Sequence, residues 1–120
     1  MKPAIMSTGF GYITVDDAEI EHDIVIRLSG RIKKRKKKLS KAVYGTSHTI
    51  SLDEAKYVYE DGAKHLIVGS GQQGMVKLSD EAAAFFKEAG CKVDLLATPK
   101  AVKRWNQAED AVIGLFHVTC

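Results

Sequence analysis

Residues 64–118 decide the fold, and they read KHLIVGSGQQGMVKLSDEAAAFFKEAGCKVDLLATPKAVKRWNQAEDAVIGLFHV. Three short, largely apolar runs in this stretch predict β-strands. They lie at residues 64–69, 91–97 and 111–118. Between them, Ser79 and the Thr98-Pro99 pair are typical of helix starts. Because near-continuously apolar strands need cover on both faces, this half predicts an α/β sheet with helices packed on it.

The residues before this half predict one more helix and an antiparallel meander. Ser51 and Glu54 have the spacing of a capping box, and Gly62 is the expected end of the helix that they begin. Upstream, three segments predict strands. These segments are residues 10–15, 20–28 and 31–35. Lysines in the third segment suit a sheet edge, and residues 36–49 are interpreted as a basic loop.

The composition is that of one ordinary globular domain over residues 1–120. Apolar residues make up 45% of the chain and charged residues 28%, which excludes intrinsic disorder of the whole chain. No 18-residue apolar run and no targeting peptide are visible, which predicts a cytoplasmic protein without membrane contact. Cys91 and Cys120 are too few for a disulfide scaffold and match no zinc-binding spacing. We expect no metal and no cofactor.

Positive charge is concentrated in one segment. The chain has a net charge of +3, but residues 24–52 contain nine lysines and arginines and no acidic residue, which leaves −6 for the remainder. Such a segment attracts phosphates, acidic proteins or RNA, and residues 33–38 are its densest part. Tyr44 is the one nearby aromatic residue for base stacking, so a solvated face, phosphate or RNA contact and protein docking all stay open.

The glycine-rich segment 69–74 fits the pattern G-x-G-x-x-G and follows a predicted strand. Its glycines allow tight turning, so that backbone amides can point at an anion. Four residues separate it from the Ser79 cap, and Asp94 lies within a predicted strand, both of which disfavour a dinucleotide site. An anion-binding or polar-ligand loop and a purely structural loop remain the alternatives.

The segment Tyr44-Gly45-Thr46-Ser47-His48 brings two hydroxyls, a phenol and an imidazole together. Hydrogen bonding at the helix entry, ligand contact and covalent catalysis are the possible roles. Ser47 and His48 are adjacent in sequence, which rarely gives the geometry of a nucleophile and its base, and no G-x-S-x-G motif is present.

The other histidines predict no metal centre. His22 lies on the apolar face of its predicted strand, and His65 is isolated in the sequence. His117 and Cys120 are three residues apart, so in a strand their side chains face opposite sides.

Several ordered motifs resemble one family. They are Lys38-Leu39-Ser40-Lys41 with Tyr44 to His48, Gly69 to Gln72, Pro99 with Trp105-Asn106, and His117 to Cys120. This set is similar to a small domain of unknown function found in bacterial and archaeal single-domain proteins, in the adipogenesis-associated protein and in a mitochondrial complex I assembly factor. The resemblance implies a three-layer α/β fold whose central mixed sheet includes one antiparallel strand. It implies no enzyme activity, and it suggests a role in assembly or protein interaction.

We therefore predict a binding or assembly domain whose cleft is formed by the 45–48 and 69–74 loops. Its ligand-binding residues are predicted to be Lys38, Lys41, Gly45, Thr46, Ser47, His48, Gly69, Ser70, Gly71 and Gln72. The partner is a protein or a small anionic ligand. A small enzyme that uses His48 on an anionic substrate and an RNA-associated protein that uses segment 31–41 are the alternatives. Ile24 and Ile26 leave a homo-oligomer open.

Overall fold

The structure is a computed structural model that describes residues 2–120. This part of the chain contains ten strands and four helices, and the first five strands precede the first helix. They are β1 (Ile5–Gly9), β2 (Tyr12–Val15), β3 (Ala18–Ile20), β4 (Ile24–Ile26), β5 (Ile32–Lys34), α1 (Lys38–Tyr44), β6 (Thr49–Ile50), α2 (Leu52–Val58), β7 (His65–Ser70), β8 (Lys77–Leu78), α3 (Asp80–Glu88), β9 (Lys92–Leu96), α4 (Thr98–Gln107) and β10 (Val112–His117).

The central sheet has five strands in the order β5-β4-β10-β7-β9. β7 is parallel to both β10 and β9, whereas β4 is antiparallel to β10 and to β5. Within residues 2–120, β4 is thus the strand of this sheet that runs against the other four. The predicted mixed sheet with one antiparallel strand is confirmed, and the lysine-rich β5 lies at its edge as expected.

Two smaller sheets flank the central one. An antiparallel meander is present as predicted, but β1, β2 and β3 form it, and β1 was not predicted. The segments predicted as its second and third strands supply β4 and β5 of the central sheet. β6 pairs with β8 in parallel. The prediction of a single strand at 20–28 is wrong, because the strand is interrupted between β3 and β4, and β4 belongs to a different sheet. The Asp23 side chain at this break turns inward to a buried arginine, whereas His22, predicted on the apolar face, is exposed.

Two apolar clusters pack on opposite faces of the central sheet and make the three layers. Trp105 from α4 and Phe116 pack with the meander on one face, their rings 5.8 Å apart. Phe86 from α3 packs with residues of α2 on the other face. Ile24 and Ile26 are fully buried in the first cluster, so they do not face a second subunit.

One helix was not predicted from the sequence, and two others have different boundaries from those predicted. The predicted loop 36–49 contains α1, which Gly45 ends in the left-handed region at φ 70°. α2 ends at Val58 rather than near Gly62. Thr98 is the first residue of α4 rather than its cap, because its hydroxyl is used elsewhere, as described below. Within residues 2–120, no helix has the length and apolar character needed to cross a membrane.

Candidate functional site

Three neighbouring strands bring a row of charged side chains to one end of the central sheet. Phe116 of β10 pairs with Ile24 of β4, and Ile24 pairs in turn with Lys34 of β5. The next residues towards this end of the three strands are His117, Asp23 and Arg35. Asp23 Oδ2 accepts from His117 Nδ1 at 2.7 Å and from Arg35 Nη1 at 3.0 Å.

Arg35 connects this row to helix α2. Its side chain is 1% exposed, and it donates from Nε and Nη2 to the two carboxylate oxygens of Glu54, at 2.6 and 3.0 Å. Nη2 also donates to the Ser47 carbonyl at 2.7 Å. Glu54 is fully buried and accepts from the Ser40 hydroxyl, which ties α1 to the same cluster. The planar guanidinium of arginine donates to several acceptors at once in a fixed geometry. The ammonium group of lysine cannot replace it in this position.

Hydrogen bonds determine the ionisation of Asp23. Burial alone would raise its pKa, but the hydrogen bonds from His117 and the Val118 amide, with nearby positive charge, lower the pKa to about 2. For Arg35, burial would lower the pKa, but the carboxylates of Glu54 and Asp23 outweigh that effect and raise it. Both groups therefore stay charged at neutral pH.

His117 lies at the junction of the two predicted loops. Its Nε2 is 3.1 Å from the Thr119 hydroxyl, and its ring meets the His48 ring edge-on with centroids 5.5 Å apart. The amide of Lys77, in β8, donates to the His48 carbonyl at 2.8 Å, which joins the 45–48 loop to the strand after the glycine segment. The structure thus brings the two loops together around His117.

A cavity of about 350 Å³ opens beside this cluster. Most of the residues that line it are polar or charged, with Asp23 and Arg35 at its buried end and more exposed side chains at its rim. The full lining is Gly11, Glu21, His22, Asp23, Lys34, Arg35, Lys37, Val118 and Thr119. The Lys37 ammonium group is 3.6 Å from Asp23 Oδ2. The cations at the cavity are thus Lys34, Arg35 and Lys37, rather than the predicted Lys38 and Lys41, which are exposed on α1.

The glycine segment binds a segment of its own chain. The Gln72 amide donates to the Thr119 carbonyl at 2.7 Å, and the amides of Gln73 and Met75 donate to the Cys120 carbonyl at 3.0 and 3.2 Å. A Cβ on Gly71 would lie 2.2 Å from the Cys120 carbonyl carbon. The close backbone approach expected of these glycines therefore serves residues 119–120 in this structure, and anion binding by the loop stays a prediction.

Thr98 fixes the same segment from the side of α4. Its hydroxyl donates to the His117 carbonyl at 2.6 Å and accepts from the Gly71 amide at 2.9 Å. Gly69 approaches Thr98 so closely that a Cβ there would lie 2.9 Å from the threonine oxygen.

The other predicted site residues have varied surroundings. Ser47 and Ser70 are buried, Gly45 is exposed, and Thr46 accepts from the His48 amide through its hydroxyl at 3.1 Å. The half-buried Gln72 donates from its side-chain amide to the Thr8 hydroxyl at 3.1 Å.

Sequence reasoning missed Asp23, Arg35, Glu54 and Thr119. Asp23 lies inside the segment 20–28 that was predicted as one continuous strand, and Glu54 was expected only as a capping residue. One signal was available for Arg35, since it is a single arginine inside a run of lysines. Buried ion pairs favour arginine over lysine, so that position was the one to suspect.

A second ion cluster lies at the opposite end of the strands. His65 was predicted to be isolated, but its buried ring bridges Asp94 at 2.7 Å and Asp110 at 3.1 Å. Arg104 adds an ion pair to Asp94 at 3.1 Å. Burial opposes ionisation of both carboxyls, but the hydrogen bonds from His65 outweigh it, so the pKa values of Asp94 and Asp110 are lowered. These pairs join β7, β9 and the start of β10, and we assign them to stability.

Comparison with known proteins finds the same fold in uncharacterised proteins. A family model described as protein of unknown function (DUF498/DUF598) matches residues 5–116. The conserved hypothetical protein PH1505 from Pyrococcus horikoshii OT3 is 36% identical, with both chains covered completely and a TM-score of 0.87. The protein MT938 is 30% identical over 99% of this chain and 100% of its own, with a TM-score of 0.83. A protein from Bordetella parapertussis is 17% identical over 98% of this chain and 96% of its own, with a TM-score of 0.77, and shows the fold alone.

Proposed function

We propose that this chain, which belongs to the family of proteins of unknown function DUF498/DUF598, is a binding domain for a small anionic ligand. The ligand would occupy the cavity described above. The observation that carries the proposal is the distribution of charge partners around that cavity. The buried carboxylates already accept hydrogen bonds from protein groups, whereas the side chain of Lys34 has no partner within residues 2–120. Lys37 pairs with Asp23 at 3.6 Å and adds a second positive charge at the rim.

The Asp23 carboxylate is occupied by protein groups. It accepts from Arg35, His117 and the Val118 amide, while Glu54 accepts from Arg35 and Ser40. The side chain of Lys34 makes no hydrogen bond or ion pair within residues 2–120, and Lys37 lies 3.6 Å from a carboxylate that Arg35 already serves. Glu21 is the rim carboxylate that a ligand would meet.

The size and chemistry of the cavity define the ligand class. A cavity of about 350 Å³ fits a small molecule rather than a folded protein. Ammonium groups together with the His22 imidazole and the Thr119 hydroxyl suit a phosphate or a carboxylate, which accepts hydrogen bonds from all of them. None of the ten ligand-binding residues predicted from the sequence lines this cavity. The two-loop cleft is connected to it through His117, whose ring contacts His48 and whose Nδ1 is bonded to the lining residue Asp23.

Isothermal titration calorimetry with inorganic phosphate, pyrophosphate and citrate at low salt tests this function. The variant Lys34→Gln/Lys37→Gln should weaken binding of the best probe by at least about tenfold, since each lost charged hydrogen bond is worth more than 1 kcal/mol. The matched control Lys100→Gln/Lys103→Gln removes the same charge from the exposed face of α4 and should bind normally.

Equal weakening in both double variants would mean a general charge effect and would overturn the cavity as the site. Absence of heat with all three probes would overturn the small-anion function and favour a protein partner for the domain.

A further inference from the structure

We infer that this cavity is also a reaction site, in which Thr119 is a nucleophile activated by His117 and Asp23 for acyl transfer from esters of small anionic carboxylic acids. The inference rests on the proposed function, because it uses the same cavity and the same lysines. It replaces His48, the acid–base candidate from sequence, with a histidine whose partners are visible in the structure.

The three side chains form a continuous hydrogen-bonded chain. Asp23 Oδ2 is 2.7 Å from His117 Nδ1, and His117 Nε2 is 3.1 Å from Thr119 Oγ1. An ionised carboxylate can only accept, so Nδ1 carries a proton, and in the neutral imidazole Nε2 is left to accept the Thr119 hydroxyl proton. These are the distances and the roles expected of a hydroxyl nucleophile, its base and the group that orients the base.

The base is held in place from several sides. Asp23 Oδ1 accepts from the Val118 amide at 2.9 Å, and Arg35 binds Oδ2, so the carboxylate has little freedom. The backbone on either side of Thr119 is fixed as well, since Gly11 donates to the Val118 carbonyl and Gln72 to the Thr119 carbonyl. Pre-organisation of this kind is what a catalytic hydrogen bond requires.

The proposed nucleophile, Thr119, is more accessible from the cavity than its base, His117, as nucleophilic catalysis requires. His117 is 2% exposed, whereas Thr119 is half-buried and lines the cavity. A substrate therefore meets the hydroxyl first and leaves the imidazole behind it. Lys37 lines the same cavity and offers positive charge to an oxyanion, and Lys34 offers it to the carboxylate of the acyl group.

The reaction balances without any cofactor. Thr119 Oγ attacks the ester carbonyl carbon and its proton passes to His117 Nε2. The bond from carbon to the alcohol oxygen then breaks, and the alcohol leaves with that proton. Water next attacks the acyl-threonine, again giving its proton to Nε2, and Thr119 regains its hydrogen as the carboxylic acid is released.

The mono-4-nitrophenyl ester of succinic acid is the probe, with release of 4-nitrophenol and intact mass as the readouts. Wild-type protein should give a 100 Da succinyl adduct that peptide mapping assigns to Thr119, and turnover above buffer. Thr119→Val should lose the adduct and at least about 90% of turnover. Thr119→Ser should keep both, and Thr14→Val, which removes a half-buried hydroxyl in β2, should match wild type.

The positioning role of Asp23 has its own readout. Asp23→Asn should lower kcat and leave KM within about twofold, because Lys34, which offers its charge to the acyl carboxylate, has no contact with Asp23 and is unchanged. A Thr119→Val variant that forms the same adducts as wild type, all on lysines, would overturn the catalytic inference. If citrate or phosphate still binds with the lysine dependence described above, the binding function stands without it.

Discussion

Gly71 lies where the glycine segment passes residues 119–120. Its φ is 106°, and a Cβ there would lie 2.2 Å from the Cys120 carbonyl carbon and 2.9 Å from the His117 ring. Gly71→Ala should therefore lower the free energy of unfolding by roughly 3 kcal/mol, from backbone strain and from displacement of the chain below it. Urea denaturation at neutral pH measures this difference.

Gly74 supplies the matched control in the same loop. Its φ is also positive, at 71°, but the nearest atom to a Cβ would be the Ser70 hydroxyl at 3.7 Å. Gly74→Ala should cost only about 1 kcal/mol, which is the backbone penalty without a clash. Equal losses for the two variants would contradict the close approach of residues 119–120 to Gly71.

Asp23 makes stability depend on pH. Its pKa is about 2 in the folded protein, below the ordinary 3.8, so the folded state favours the ionised carboxylate. The resulting stabilisation, about 2 kcal/mol, is fully present above the unfolded pKa and is lost as pH falls from about 5 towards 2. Urea denaturation at several pH values should show this loss in wild type, and Asp23→Asn should lack that component while being less stable at pH 7.

Asp61→Asn is the control for this pH dependence, because Asp61 is exposed. Asp94 and Asp110, whose pKa values are also lowered, contribute the same acid sensitivity to every variant. An Asp23→Asn protein that loses stability with acid as steeply as Asp61→Asn would contradict the ionised, hydrogen-bonded state of Asp23.

For single residues, the sequence predicts the local role of a side chain better than it predicts which distant residue that side chain contacts. Ser51 and Ser79 were assigned as caps, and both side chains accept from the amide three residues later. Glu54 was assigned to the same capping box, yet its carboxylate turns to Arg35. The partner of a charged side chain comes from another element, and no local pattern identifies it.

The two serine caps differ in how many elements they join. Ser79 accepts from the Ala82 amide and caps α3 alone. Ser51 caps α2 and also donates to the Leu39 carbonyl of α1 at 2.9 Å. Thermal or urea unfolding should give a loss of about 1 kcal/mol for Ser79→Ala and roughly 2 kcal/mol for Ser51→Ala. Equal losses would mean that the bond between α1 and α2 adds nothing to the cap.

Elements with strong local signals were predicted correctly, and those that depend on distant contacts were not. β7, α3 and β10 have continuous apolar runs, caps or stop signals of their own. α1 has seven residues, no side-chain cap and no acidic residue in its first turn, so local signals indicate a loop. It is held by the buried Ser40, whose hydroxyl reaches Glu54 and Ser51.

At the scale of the molecule, the candidate site could be predicted only in part. His48 of the 45–48 loop and Gly71 of the 69–74 loop both lie close to His117. The charged row of Asp23, Arg35 and His117, however, is a product of strand order and register. Strand order β5-β4-β10 places residues 23, 35 and 117 side by side although residue 117 lies far from the other two in sequence. Predicting that row requires the antiparallel direction of β4, which the sequence left unassigned.

The basic segment is divided in the folded molecule, because some of its cations belong to the ion cluster and the cavity and others are exposed elsewhere. Arg35 is buried in the ion cluster, and Lys34 and Lys37 line the cavity. Of the remaining lysines, Lys36 lies 4.6 Å from the centre of the Tyr57 ring, which removes one aromatic surface from base stacking. Outside the cavity lining, four lysines of this segment are exposed: Lys33, Lys36, Lys38 and Lys41.

Replacing these four lysines by glutamine should abolish retention on heparin at moderate salt while leaving the free energy of unfolding within about 0.5 kcal/mol, since none of them is buried. Binding of phosphate or citrate should change less than twofold, because the cavity keeps Lys34 and Lys37. A short RNA tests the third function, since its affinity should fall steeply with salt and disappear in the fourfold variant. RNA binding that survives in that variant would mean that the nucleic acid binds at the cavity instead. The small-anion function would then be replaced by recognition of a phosphate group in a polymer.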